Sequence, residues 1–438
     1  MTGNFRRFLP KAAVAALSAI LLAAAVPAAI GYSTVSITAA AEADTSVRQH
    51  STFRIVGIGD SLTAGYEHGF TLDSVPYGYV ERVFEQALFR GRAEYANYGV
   101  LGLKLEGLQN WLAAAEQQKP AEASSIQDGL AEYPLASETI AKTAKLRGDL
   151  QQADLVVMTI GSNDFSALFE VIPEGRDASD AWLDPAIERY ESALTASLRS
   201  IYALQPKAQV VVSDIFSPIA NEKIVLGVLD FTEDDYQYFI DSTVKVRERL
   251  EKIADRFAGE GYSLGIAYTG EQFVGKEGRY TSIRGGDPHP NQAGYAVIGD
   301  AFAKAVWGEI HTVQARPAGV GISVVVNGQE IVNDNKPVLK DNRTYLAFRD
   351  IADAMEATTK WDNQSKTVTI TLDGNSVALT IGSSTMLVNG HAVTIDTPPF
   401  LHTVGKEQKT YVPLAVLADG LGFQVEYRGK LKTAFINK

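Results

Sequence analysis

The stretch "RIVGIGDSLTAGYEHG", residues 54–69, sets the terms for the first two thirds of the chain. Arg54 to Ile58 reads as a buried strand that breaks at Gly59 into Asp60, Ser61 and Leu62. Ligands of open α/β sheets gather at the carboxyl ends of strands. A strand that ends on a small hydroxyl residue between glycines therefore delivers that hydroxyl where a reaction would occur.

Outward from this stretch, strand-like and helix-like segments alternate. "DLVVMTIGSND" (154–164), "AQVVVSDIF" (208–216) and "SLGIAY" (263–268) are apolar runs ending in polar residues. Between them lie helical patterns. "YGYVERVFEQALF" spaces Val80, Val83, Phe84, Ala87 and Leu88 at helical intervals. "IERYESALTASLRSIYAL" (187–204) is amphipathic and stops at Pro206; "STVKVRERLEKIADRFAGEG" (242–261) and "NQAGYAVIGDAFAKAVW" (291–307), opened by Asn291, follow. Strands apolar throughout and separated by helices predict an α/β domain, a parallel sheet covered on both faces. Residues 112–148 interrupt the rhythm with a polar, alanine-rich stretch. It reads equally as a cap over the site and as a surface insertion without a role.

The chain has 438 residues, 46% hydrophobic and 21% charged, which suits a soluble globular protein of two or three domains. The net charge of −12 argues against nucleic acid and anionic membrane surfaces as partners. Arg6, Arg7 and Lys11 precede the apolar run Ala12–Ile30, and small residues follow in "ITAAAEADT". This is the pattern of a secretory signal peptide, residues 1–41, cut after Ala41 or Ala43. The alternative is an uncleaved membrane anchor; Pro27 and the small-residue exit favour cleavage. With no cysteine anywhere, neither a disulfide nor a thiolate metal site is open to the chain. The expected location is secreted or bound at a bacterial surface, Gram-positive in type.

The expected division is an α/β domain over 50–312, a linker at 313–319 and a second domain over 320–438. In the last block, apolar and polar residues alternate in "ISVVVNG", "KTVTITL" and "SVALTIG", and "LDGN" (372–375) marks a hairpin. The block repeats. "TYLAFRDIADAMEATTKWDNQSKTVTI" from Thr344 aligns without gaps with "TYVPLAVLADGLGFQVEYRGKLKTAFI" from Thr410, and "VVNG" (325–328) and "LVNG" (387–390) precede the two copies. Each copy reads as hairpin, short helix, strand. The two should pack together, because one alone could hardly bury a core.

A serine hydroxyl becomes a useful nucleophile only with a base, a group that orients the base and donors for the oxyanion. Of six histidines, His289 stands out. It lies in "GGDPHPNQAGY", held between Pro288 and Pro290, with Asp287 two residues before it as an acceptor for its ring N–H. His68 reads as part of a mobile loop. Oxyanion donors would be the Ser61 N–H, the Gly99 backbone after "ANY" and the Asn163 side chain past a buried strand. Asp60 reads as structural, fixing the turn that presents Ser61. The histidines form no metal-ligand pattern, and no glycine-rich phosphate loop is present, so neither metal nor cofactor is expected.

"GDSL" (59–62), "NYG" (97–99), "GSND" (161–164) and "DPHPNQAGY" (287–295) occur in this order and together resemble the four sequence blocks of the SGNH (GDSL-type) esterase/lipase family. The resemblance implies a flavodoxin-like three-layer α/β/α fold and acyl-ester hydrolysis. It implies Ser61 as nucleophile and His289 as base, with Ser61, Gly99 and Asn163 forming the oxyanion hole. In that family the orienting aspartate stands three residues before the histidine. Here that position is Gly286, and Asp287 is one step nearer. A one-residue shift changes which way a side chain points, so Asp287 as third member and a Ser–His dyad helped by a backbone carbonyl both stay open. The repeat block resembles the copper amine oxidase N-terminal-domain-like module, though it shows no copper-ligand cluster. It suggests binding to cell wall or surface glycan, or a spacer. Two rival readings are a surface-binding protein whose hydrolase fold is inactive and a structural wall component. Lipids, lysophospholipids, acetylated polysaccharides and acetylated peptidoglycan all offer a suitable ester.

Overall fold

The computed structural model describes residues 52–221 and 231–438. The expected signal peptide lies outside the described residues. Two compact units emerge: residues 54–83 with 94–309, and residues 52–53 and 84–93 with 310–438.

The first unit is a three-layer α/β/α sandwich. Its sheet contains β1 (Phe53–Gly59), β2 (Ala93–Gly99), β3 (Leu155–Met158), β4 (Gln209–Ser213) and β5 (Ser263–Ala267), in the order β2-β1-β3-β4-β5. The ladders β1·β3, β3·β4 and β4·β5 are parallel. This is the doubly wound flavodoxin-like order, whose topological switch lies beside β1. The main helices are α1 (Tyr79–Leu88), α2 (Leu105–Glu116), α3 (Thr143–Gln151), α4 (Arg176–Leu204), α5 (Glu233–Gly259) and α6 (Gln292–Trp307).

Strand alternation sorts the sheet's side chains into two cores. Val56, Ile58, Val156, Met158, Val210 and Val212 join a cluster with residues of α2, α4 and α5. On the opposite face α1 presses directly on β1: a Cβ on Gly57 would lie 2.8 Å from Val80 Cγ2. Tyr79 of α1 also stacks on Phe302 of α6, ring centroids 4.4 Å apart.

Two elements differ from the sequence reading. Helix α4 begins eleven residues before Ile187 and runs through Pro185. Proline removes one backbone hydrogen bond, but burial of Ser179, Leu183, Ala186 and Ile187 holds the extended helix against the core. Residues 112–148 also form neither a cap nor an idle insertion. Ala123, Ile126, Leu130, Ala136, Ile140 and Leu146 are buried in the same core as Trp111, whose Nε1 donates to Thr143 Oγ1 at 2.9 Å.

The second unit contains the repeat. Copy one supplies β8 (Ser323–Val326), β9 (Gln329–Glu330), β10 (Val338–Lys340), β11 (Arg343–Ala347), α7 (Phe348–Ala354), β12 (Thr358–Asp362) and β13 (Thr367–Leu372). After β14 (Asn375–Thr380), copy two supplies β15 (Thr385–Val388), β16 (His391–Thr394), β17 (Phe400–Val404), β18 (Glu407–Pro413), α8 (Leu414–Gly420), β19 (Gln424–Arg428) and β20 (Thr433–Asn437). Each copy thus holds two hairpins before its helix and a third after it, one hairpin and one strand more than the sequence pattern suggested. The short hairpins turn at Asn327-Gly328, Asp373-Gly374 and Asn389-Gly390, where both residues take positive φ. That conformation matches the strand twist and selects Asn-Gly or Asp-Gly.

Candidate functional site

Ser61 is presented by a turn built from backbone constraints. Gly59 has φ +151°, and a Cβ there would meet Thr159 O at 2.1 Å, so β1 can end against β3 only with glycine. Asp60 N donates to Thr159 O at 3.0 Å. The Asp60 carboxylate accepts from Leu62 N at 3.0 Å and from Thr159 Oγ1 at 2.9 Å, which pins the turn. Burial pushes the Asp60 carboxyl up to about 6 despite those bonds. Thr63 Oγ1 lies 2.8 Å from both Tyr79 OH and Thr159 Oγ1, tying the turn to α1 and the segment after β3.

His289 reaches Ser61 from the opposite end of the unit. β6 (Thr281–Ser282) and β7 (Asp287–Pro290) form a small antiparallel ladder. Asn291 then caps α6, its Oδ1 accepting from Ala293 N at 2.9 Å and Gly294 N at 3.2 Å. From this frame His289 Nε2 stands 2.9 Å from Ser61 Oγ. On the other side of the ring, Nδ1 stands 2.6 Å from Asp287 Oδ1, which also accepts from His289 N at 2.9 Å. The position of Asp287, two before the histidine, follows from β7 being extended: residues i and i+2 of a strand project to the same face.

His68 completes the carboxylate's shell: its Nδ1 lies 3.1 Å from Asp287 Oδ2. The mobile-loop reading missed this partner, which sits 219 positions from Asp287 in sequence, and no local signal marks it. Burial works to raise the Asp287 carboxyl, but the hydrogen bonds and charge of His289, with His68, outweigh it and hold the group down to about 2. Asp287 is therefore ionised across the physiological range and free to accept the hydrogen of His289 Nδ1. Tyr66 packs edge-on to His289 with ring centroids 4.6 Å apart, its own backbone carbonyl accepting from Tyr295 OH.

The expected oxyanion donors divide. Ser61 N has no acceptor among the described residues. Asn163 Nδ2 gives one hydrogen to Leu103 O at 2.9 Å, which leaves the second hydrogen of the amide unspent. Gly99 is different: its N–H donates to Asn97 Oδ1 at 2.9 Å. What glycine provides there is close approach, since a Cβ would lie 2.0 Å from Ala64 N. Three residues on, Gly102 has φ +73° and an N–H without an acceptor among the described residues. Its turn is braced by residues 112–148: Gln127 Nε2 donates to Gly102 O at 2.9 Å, Gln127 Oε1 accepts from Lys104 N at 2.8 Å, and the Tyr133 ring fills the space a Cβ on Gly102 would need. Next to Asn163, Asp164 accepts from Leu105 N at the start of α2, and burial pushes its carboxyl up to about 6. Ser61, Asn163 and His289 share the wall of one cavity of about 180 Å³.

Comparison with known proteins follows the same lines. Residues 58–297 match the GDSL-like Lipase/Acylhydrolase family, and residues 325–436 match the Copper amine oxidase N-terminal domain. No curated protein matches the chain. Similar solved structures include the lipase Lip_vut3 from a goat rumen metagenome, 16% identical over 58% of this chain and 97% of that one, TM-score 0.40. Another is a catalytic mutant of Axe2, an acetylxylan esterase from Geobacillus stearothermophilus, 18% identical over 61% of this chain and 98% of that one, TM-score 0.36. Because the first of the two family matches spans more than half of the chain, this protein belongs to the GDSL-like lipase/acylhydrolase family and is a carboxylic ester hydrolase that also carries a copper amine oxidase N-terminal domain.

Proposed function

We propose that the chain is an exported serine esterase that works through an acyl-enzyme on Ser61. The observation that carries this reading is the unbroken series Ser61 Oγ, His289 Nε2, His289 Nδ1, Asp287 Oδ1, with contacts of 2.9 and 2.6 Å. Ser61 Oγ attacks the ester carbonyl carbon while Nε2 takes its proton. Asp287, itself held by His68, keeps the ring in the tautomer with hydrogen on Nδ1. The oxyanion receives hydrogen bonds from Ser61 N–H and the free hydrogen of Asn163 Nδ2, with Gly102 N–H in place of the spent Gly99 N–H. Nε2–H then protonates the departing alcohol oxygen as the C–O bond breaks. Water attacks the acyl-enzyme, gives its proton to the same nitrogen and frees the acid and Ser61. Export rests on the N-terminal basic, apolar and small-residue pattern.

Ser61→Ala tests the mechanism. The variant should fold as wild type and lose at least about ten-thousand-fold in kcat on p-nitrophenyl butanoate, since removing the nucleophile of such a set leaves only binding and oxyanion stabilisation. It should also escape covalent labelling by a fluorophosphonate. Wild-type turnover in Ser61→Ala would overturn the assignment.

A further inference from the structure

The cavity beside Ser61 has a chemical bias that the catalytic groups do not explain. Away from the hydroxyl it is walled by Phe165 and Phe169 after β3, Leu183 of α4, Phe216 after β4, and Phe239 and Val246 of α5. Phe169 and Phe239 pack with ring centroids 4.8 Å apart. Three of the hydroxyls among these rings already spend their hydrogen on backbone carbonyls. Ser166 Oγ donates to Asn163 O at 2.9 Å, Ser242 Oγ to Tyr238 O at 2.7 Å and Thr243 Oγ1 to Ile240 O at 2.8 Å. Ser217 Oγ accepts from Ile219 N at 3.3 Å.

A sugar ring entering this space would bring several hydroxyls, each costly to bury without a partner. An alkyl chain brings none and gains from every buried carbon. An apolar cavity of about 150 Å³ holds a benzene molecule, so the volume beside Ser61 suits about six to eight carbons.

We propose that this cavity binds the acyl portion of the ester, and that the enzyme's substrates are esters of medium-chain fatty acids of about six to eight carbons rather than acetyl esters. This deepens the serine-esterase reading and rests on it. The alcohol portion leaves through the mouth, where Ser162 is exposed. Val246 and Phe239, one helix face of α5, set the depth of the chain's seat.

The test is a series of p-nitrophenyl esters from acetate to laurate, kept below their micellar concentrations, with the full chain. kcat/KM should rise about four-fold per added methylene and peak at hexanoate or octanoate. Val246→Phe should lower the octanoate-to-acetate ratio about ten-fold; both rates come from one preparation, so a loss of folded enzyme cancels. Independently of any variant, heptylboronic acid, whose boron and seven carbons stand for an octanoyl group, should inhibit the wild type about four-thousand-fold more tightly than methylboronic acid. Acetate as the best ester, an unchanged ratio in Val246→Phe, equal inhibition by the two boronic acids, or faster acetate release from acetylated xylan than octanoate hydrolysis would each overturn the chain-length proposal. If those reactions still require Ser61, the serine mechanism stands and only the pocket assignment falls. Turnover that persists in Ser61→Ala sinks the mechanism itself.

Discussion

Ser61 Oγ and His289 Nε2 meet at 2.9 Å although 228 positions separate them in sequence. Both residues were legible because their surroundings are locally constrained: a glycine-flanked strand end for one, two prolines for the other. Whether Asp287 joins them was not legible from spacing, because spacing has meaning only once the backbone is known. In extended β7 an offset of two puts both side chains on one face, and the carboxylate reaches Nδ1. Asp287→Asn should therefore lower kcat/KM by about a thousand-fold or more, the loss expected when the imidazole is left in the wrong tautomer. The same variant has a stability signature. The Asp287 carboxyl is held down to about 2, so the folded state binds fewer protons than the unfolded chain in acid. Its contribution is whole above about pH 4, the ordinary aspartate range, and is lost as pH falls through about 2. Urea midpoints should fall less steeply between pH 4 and pH 2 for Asp287→Asn than for wild type. Equal slopes would show that the hydrogen bonds around this carboxylate carry no net stability.

The elements that present these residues depend on glycine at close approaches. Gly59 ends β1 against Thr159 O, and Gly99 ends β2 against the amide of Ala64. Gly59→Ala should cost about 3 kcal/mol or more, because a left-sided φ and a backbone clash coincide with no flexible neighbour to yield. Chemical denaturation measures this directly; a loss under about 1 kcal/mol would mean that the β1 end relaxes with ease. Strand β2 was hidden in the sequence. "AEYANYG" is half-polar, has no continuous apolar run, and lies at the edge of the sheet, where one-sided burial blurs the pattern. The early start of α4 was hidden for a related reason, since Pro185 punctuates the sequence while the core behind it holds the helix together.

At the scale of the whole molecule, the repeat shows how two copies share one core. The central sheet, β10-β11-β18-β17, joins the copies through the antiparallel pair Leu346–Val412 and its neighbours. The other two sheets exchange hairpins: β19-β20 of copy two lie beside β8-β9 of copy one, and β12-β13 of copy one reach β15-β16 of copy two across β14. The β20·β8 ladder is parallel, so the C-terminal strand seals the strand that opens the unit. Deleting residues 424–438 would strip β8 of one of its two neighbours, remove Ile436 and open the core around Val324 and Val326. The truncated protein should lose protease resistance across 320–423. Persistent protection there would mean that the remaining two sheets fold without β20.

By itself the sequence determined the α/β class and the repeat and marked Ser61 and His289 as candidates, because these are written in local periodicity, glycine and proline placement and short ordered motifs. Only the tertiary structure decided what depends on distances between segments far apart in the chain. It set Asp287 against Nδ1, brought His68 to the same carboxylate, engaged the Gly99 amide with Asn97, and turned residues 112–148 into a brace for the Gly102 turn. It also gathered apolar side chains from four separate segments around a cavity beside Ser61. Local sequence specifies dihedral preference and burial, whereas hydrogen-bond partners and cavity walls are chosen when the layers pack.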